Sequence, residues 1–159
     1  MKFPAVAGSN LLRHKVNLPE GLSGEVRLLF IAFQQWHQSL VDSWVPAARQ
    51  LEQTVPGLQF FELPVIQQMN GLYQTFINEG MRAGIPNPAT RQKTITLYLD
   101  KPVFRKALAI PDEGTIWVLL LDRDGNVIWR TDGGYSAEKA ESLYQAIRSL
   151  GMELNQSPG

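Results

Sequence analysis

The period of the apolar positions changes repeatedly along the chain, and each change marks an element. Residues 26 to 33, VRLLFIAF, are apolar almost without interruption, as a strand buried on both faces requires. From Leu40 the spacing lengthens: Leu40, Val41, Trp44, Ala47, Ala48, Leu51 and Val55 recur at intervals of three and four, which predicts a helix with one apolar face. Ser39 reads as its N-cap, with Asp42 closing a capping box in place of the usual Glu. Pro46 falls inside the pattern and predicts a break or kink, because it lacks the N–H that the carbonyl of residue 42 would accept.

GLQFFELPVI (57 to 66) returns to strand character, and 67 to 85 is helical, with Met69, Leu72 and Phe76 on one side. TITLYLD (94 to 100) alternates as a strand, and a short helix follows at Val103 to Leu108. TIWVLLLDRDGNVIWRT predicts a hairpin of strands 115 to 121 and 127 to 131, turning at Asp124-Gly125. In it Trp117 and Trp129 are candidates for a cross-strand contact. The closing helix has Ser136 as cap, buries Leu143, Ile147 and Leu150, and ends at Gly151. Residues 1 to 24 read as an irregular lead-in, 25 to 151 as one domain, and 152 to 159 as a mobile tail. Mixed order with a terminal hairpin and helix implies an α/β fold, a three-layer α/β/α with a mixed central sheet.

Charge changes this picture by exclusion. The 15 basic and 15 acidic residues balance, which argues against a nucleic-acid partner, since such binding rests on Lys and Arg neutralising phosphates. No apolar run approaches the ~20 residues of a membrane-spanning helix, so no membrane insertion is expected. The first residues lack the continuous apolar segment of a signal peptide, and the expected compartment is the cytoplasm. The chain has no cysteine, which removes disulfides, thiolate nucleophiles and thiolate metal ligands.

Candidate chemistry concentrates in QQWHQSLVD, between the first strand and the first helix. His37 stands where helix N–H groups favour an anion, and Ser39 and Asp42 are the other catalytic candidates, as nucleophile and orienting carboxylate. The ordinary reading of His37 is a polar loop residue or one packed on Trp36. The capping box already accounts for Ser39 and Asp42, and side chains two apart at a helix start diverge. Trp36, His37 and Gln38 are the candidate binding residues, because an aromatic at a polar loop tip can anchor a partner. A metal site of His14, His37 and a carboxylate has no ligand spacing to recommend it, and DRDGN serves better as a turn than as a calcium loop. No cofactor and no metal are expected. Arg91, Lys93, Arg105 and Arg130 are ordinary surface charges unless the fold gathers them at one sheet end.

The strand, loop and proline-bearing helix LLFIAFQQWHQSLVDSWVP resemble the thioredoxin-like superfamily, in the extended form of its peroxiredoxin-like branch, over residues 25 to 150. Counting back from Pro46 by the family's spacing puts Gln38 and Val41 at the two redox cysteine positions. The family's cis-proline is also missing before KTITLYLD, where Gln92, Lys93 and Thr94 stand. The resemblance therefore implies the fold without thiol-disulfide oxidoreductase or peroxidase activity. Arg105, Leu108, Ile110, Pro111, Asp122, Gly125, Ile128, Trp129 and Gly133 are similar in layout to the C-terminal half of mitochondrial ATP synthase assembly factors, which implies a chaperone-like role on a membrane complex. Three functions follow: a redox-inactive protein-binding or assembly factor, a non-thiol enzyme using His37, or a small-ligand-binding or sensor module. The first has another protein as partner, with a peripheral place on a membrane complex among its versions.

Overall fold

The computed structural model describes residues 1–10, 12, 14–68 and 93–151. Within them seven strands form one sheet: β1 (Val6–Asn10), β2 (Lys15–Leu18), β3 (Val26–Ala32), β4 (Leu58–Gln67), β5 (Ile95–Leu99), β6 (Trp117–Leu121) and β7 (Val127–Asp132). Their order is β2-β1-β5-β4-β3-β6-β7. β3, β4 and β5 run parallel and the other pairings are antiparallel, so the sheet is mixed. Helices α1 (Gln38–Thr54), α2 (Lys101–Ala107) and α3 (Ala137–Ser149) complete the described elements. The helix expected over 67 to 85 lies, from residue 69 on, outside the described residues, as does the tail 152 to 159.

Successive strand residues face opposite ways, so the central strands feed two cores. Val26, Leu28 and Phe30 of β3, with Phe60 of β4 and Leu120 of β6, meet Val41, Trp44, Ala48 and Leu51 of α1 and Leu143 and Ile147 of α3. The alternate residues Leu29, Ile31, Leu63, Val65 and Leu119 face Phe104 of α2, Leu108 at its end, and Phe3, Leu18 and Leu22. Helices thus cover both sides, the three-layer thioredoxin-like arrangement.

Residues 1 to 24 are not an irregular lead-in: β1 and β2 form a hairpin that extends the sheet beyond β5. Their pattern is faint because one core-facing position is a glycine. A Cβ on Gly8 would lie 2.7 Å from side-chain carbons of Ile95 and Leu97, so only Gly allows this approach. Ahead of β1, the Phe3 N–H donates to the Gly125 carbonyl at 2.9 Å and the Val127 N–H donates to the Met1 carbonyl at 2.7 Å. The buried Phe3 ring lies edge-on to Phe104.

Other expectations also change. Helix α1 starts at Gln38, continuous with a 3-10 turn at Gln35–His37. Ser39 therefore lies within the first turn and caps nothing; its Oγ donates to the Trp36 carbonyl at 3.2 Å. The helix runs through Pro46 without a break, because Trp44 and Ala48, on either side, are both packed in the core. Trp117 and Trp129 do not meet. The register sets Trp117 opposite Asp132 and Trp129 opposite Leu120, and the two rings join different cores. The Arg130 guanidinium stacks over Trp117 instead, 4.4 Å from the ring centre. Lys93 pairs with Glu52, whereas Arg105 donates to the Pro111 carbonyl and Arg130 to those of Leu108 and Ala109. Arg91 lies outside the described residues. Ser136 caps α3 by accepting the Lys139 N–H at 3.2 Å, but Leu150, just past its end, is exposed.

Candidate functional site

β3 ends at Ala32, and the chain turns at once into the 3-10 turn and α1. His37 makes that turn. Its ring is 0% exposed, and Nδ1 accepts the main-chain N–H of Phe33 at 3.0 Å and of Gln34 at 3.3 Å. It is a core residue, not one of a polar loop. A nitrogen that accepts two N–H groups carries no proton, so the neutral ring holds its proton on Nε2. Nε2 is buried with no partner in hydrogen-bonding geometry. Burial pushes the His37 pKa down; the Glu113 main chain and carboxylate pull it back, and Lys101 adds to the fall. The only lone pair of the neutral imidazole is thus engaged by the main chain, which leaves the ring no free base. Ser39 is turned to Trp36, and Asp42 accepts from Gln38 Nε2 at 2.9 Å. The hydrogen bonds of His37, Ser39 and Asp42 run to the main chain and to Gln38 and do not join the three into a triad.

Trp36 is 59% exposed, and its ring stands edge-on to His37 with centroids 4.4 Å apart. An exposed indole thus rests on a residue that is itself tied to the main chain. Beside it, Gln38 and Val41 occupy the positions matched to the redox cysteines. Val41 is buried in the core with Trp44. Gln38 is exposed and donates to Asp42 and, at 3.1 Å, to Glu62 Oε1.

Glu62 was not visible from the sequence as a site residue, although a Glu inside FFELPVI breaks an apolar run. It lies in β4 on the side of Phe60, facing α1. Burial raises its pKa above the ordinary 4.5, Asp42 adds to the rise, and Gln38 and Arg49 oppose it. The folded chain then binds more protons than the unfolded one as pH climbs from the unfolded value to the raised one. Stability therefore falls with rising pH across that window and stays reduced above it. Glu62→Gln is expected to melt higher than wild type at pH 7 and to match it near pH 3, below the ordinary Glu range. Thermal melts across pH check this, and a difference independent of pH would reject it.

On the other flank, Glu113 Oε1 accepts from Gln34 Nε2 at 3.0 Å and from Lys101 Nζ at 3.2 Å. Lys101 Nζ also donates to the Phe33 carbonyl at 2.8 Å. Arg105 Nε lies 3.5 Å from Glu113 Oε2. The strand end, the start of α2 and the loop after α2 are thereby tied together. These pairings join residues far apart in the chain, so no local signal foretells them.

Among the described residues no group of His, Asp and Glu is placed to hold a metal ion. His14 is exposed near the start of β2, while His37 is buried. Asp122 of DRDGN is engaged within its own turn, accepting the Asp124 and Asn126 N–H groups at 2.9 Å and Asn126 Nδ2 at 3.0 Å. A cleft of about 380 Å³ lies at the opposite end of β3 and β4, lined by Gly24, Glu25, Pro56, Gly57 and Arg123. It is remote from Trp36. No helix among the described residues is long and apolar enough to cross a membrane.

Solved structures share this architecture. A putative electron transport protein from Aquifex aeolicus superposes with a TM-score of 0.67 at 10% identity, over 92% of this chain and 94% of that one. A putative thiol:disulfide interchange protein DsbE from Chlorobium tepidum gives 0.56 at 18% identity, over 93% and 94%. Arabidopsis thaliana ScoI with copper bound gives 0.59 at 11% identity, over 94% and 99%. Identities this low establish the thioredoxin-like fold alone. Among curated proteins none matches the chain in sequence. The family model described as ATP10 protein matches residues 1–150, which takes in the whole described sheet and its three helices, and the chain therefore belongs to that family.

Proposed function

We propose that this chain is a redox-inactive assembly factor, which uses the junction between β3 and α1 to hold a protein partner rather than to carry out thiol chemistry. The observation that carries the reading is Trp36: a large exposed aromatic on a turn fixed by His37, two residues before Gln38, which the family resemblance matches to a redox cysteine. Aromatic anchors on rigid supports contribute much of the energy of protein interfaces, and this one is held in place before any partner arrives. The family match and the resemblance of the residues from Arg105 to Gly133 to ATP synthase assembly factors support a subunit of an ATP synthase as the partner. The chain would act from the cytoplasm as a peripheral companion of that membrane complex. No specific observation favours an enzyme at His37, whose lone pair is engaged.

Trp36→Ala is expected to leave the melting temperature close to that of wild type, since the side chain is mostly exposed. In cells that depend on this chain, it should lower the yield of assembled ATP synthase on native gels several-fold. Normal assembly with Trp36→Ala, or insulin reduction by the purified wild-type chain above background, would reject the proposal.

A further inference from the structure

The donors around Glu113 outnumber those its carboxylate satisfies. Gln34 Nε2 and Lys101 Nζ both converge on Oε1. Arg105 Nε stands 3.5 Å from Oε2, yet it is buried without a hydrogen bond. Deeper in, the ring of the fully buried His37 feels both the main chain and the charge of Glu113, and the charge of Lys101, although its Nε2 makes no bond of good geometry. Buried polar groups in folded proteins are nearly always paired, and each exception calls for a cause. A donor that stands beside Oε2 without a hydrogen bond indicates that this carboxylate fits the donor set imperfectly. The occupant also sits at the surface. Pro111, Asp112 and Gly114 are all exposed, and the chain next becomes buried only at Ile116, so Glu113 can swing out without opening the core.

We propose that Gln34, Lys101 and Arg105 form a binding site for a carboxylate of the partner polypeptide, and that Glu113 fills this site from within until the partner displaces it. A carboxylate is the class of ligand because the chain's own occupant is one. This deepens the docking reading above, since Gln34 lies two residues from Trp36; a partner would set an apolar group on Trp36 and an acidic one beside it. The internal occupant lowers the apparent affinity to the fraction of time that it is out of the site.

The test is an NMR titration of the full chain with sodium acetate at constant ionic strength, following the Gln34 side-chain amide. Sodium phosphate forms a second arm. Glu113→Ala is expected to bind acetate at least about tenfold more tightly than wild type, and adding Lys101→Met should abolish that binding. Equal affinity in wild type and Glu113→Ala, or binding retained without Lys101, overturns the proposal. A preference for phosphate over acetate overturns the carboxylate assignment. Glu113→Gln keeps the side chain's size and one acceptor, so it tests the same gain should the Ala variant fold poorly; no gain there is also a refutation. Acetate binding together with normal assembly in Trp36→Ala would uphold this site and reject the docking reading. Loss of assembly in Trp36→Ala with no acetate binding would do the reverse.

Discussion

Trp44→Ala is expected to destabilise the chain by about 3–5 kcal/mol, the range for deleting a large buried aromatic. Trp44 is 0% exposed and heads the largest fully buried side chains. Its ring lies 6.0 Å from Phe30 and 5.4 Å from Tyr135, centre to centre. Truncation would open a cavity between α1 and β3 that close-packed neighbours can fill only in part. The indole also donates from Nε1 to the Gly133 carbonyl at 3.0 Å, so it ties α1 to the loop that leads into α3. Trp44→Phe retains much of the volume and loses this bond, and about 1–3 kcal/mol is expected for it. Urea denaturation measures both. A loss under roughly 1 kcal/mol for the Ala variant would show that the core collapses around the gap.

Arg27→Met should come next in cost, at about 2–4 kcal/mol. Arg27 is a charged residue in the middle of the sheet, 3% exposed. Its Nη1 donates to the Leu22 carbonyl at 2.9 Å and its Nη2 to the Asp122 carbonyl at 2.9 Å. One fork therefore joins the loop before β3 to the turn after β6. Burial pushes the guanidinium pKa down, and the Asp122 charge opposes this. Asp122 is pushed up by its own burial, but hydrogen bonds from Asn126 and Asp124, together with Arg27, carry it below the ordinary carboxylate range. Methionine fits the apolar path of the side chain but takes the donor from the Leu22 carbonyl and leaves the Asp122 carbonyl only the Gly125 N–H. Lysine keeps the charge without the planar fork, so Arg27→Lys should recover little. Full recovery by Lys in the same denaturation experiment would make charge, not bridging, the source of the stability.

Local signals announced the elements that build this fold. VRLLFIAF could be read as a central strand because both of its faces meet apolar cores. Asp124-Gly125 could be read as a turn because Gly125 takes a positive φ of 86°. Ser136 could be read as a cap because its bond spans three residues. The β1–β2 hairpin escaped because Gly8 faces β5 with no side chain to betray the alternation. His37 escaped for a different reason. A histidine amid glutamines reads as exposed, yet its ring folds back on N–H groups three and four residues earlier, and only the geometry of the turn decides that. Glu62, Lys101 and Glu113 acquire their neighbours through tertiary contacts, which no periodicity encodes. Arg27 sits inside an otherwise apolar strand; an apolar count passes over it, and its acceptors are carbonyls of distant loops.

The bonds from Phe3 to Gly125 and from Arg27 to Asp122 also bear on how the chain is made. A ribosome releases residues 1 to 3 and the Arg27 guanidinium long before their partners on the last hairpin exist. β3 can take β4 as its first neighbour early, but its other edge stays open until β6 has been translated. Domains fold as units, and this sheet is complete only once its last hairpin has been made. Through that interval the apolar edge of VRLLFIAF stands bare, and the nascent chain passes there through its most aggregation-prone stage.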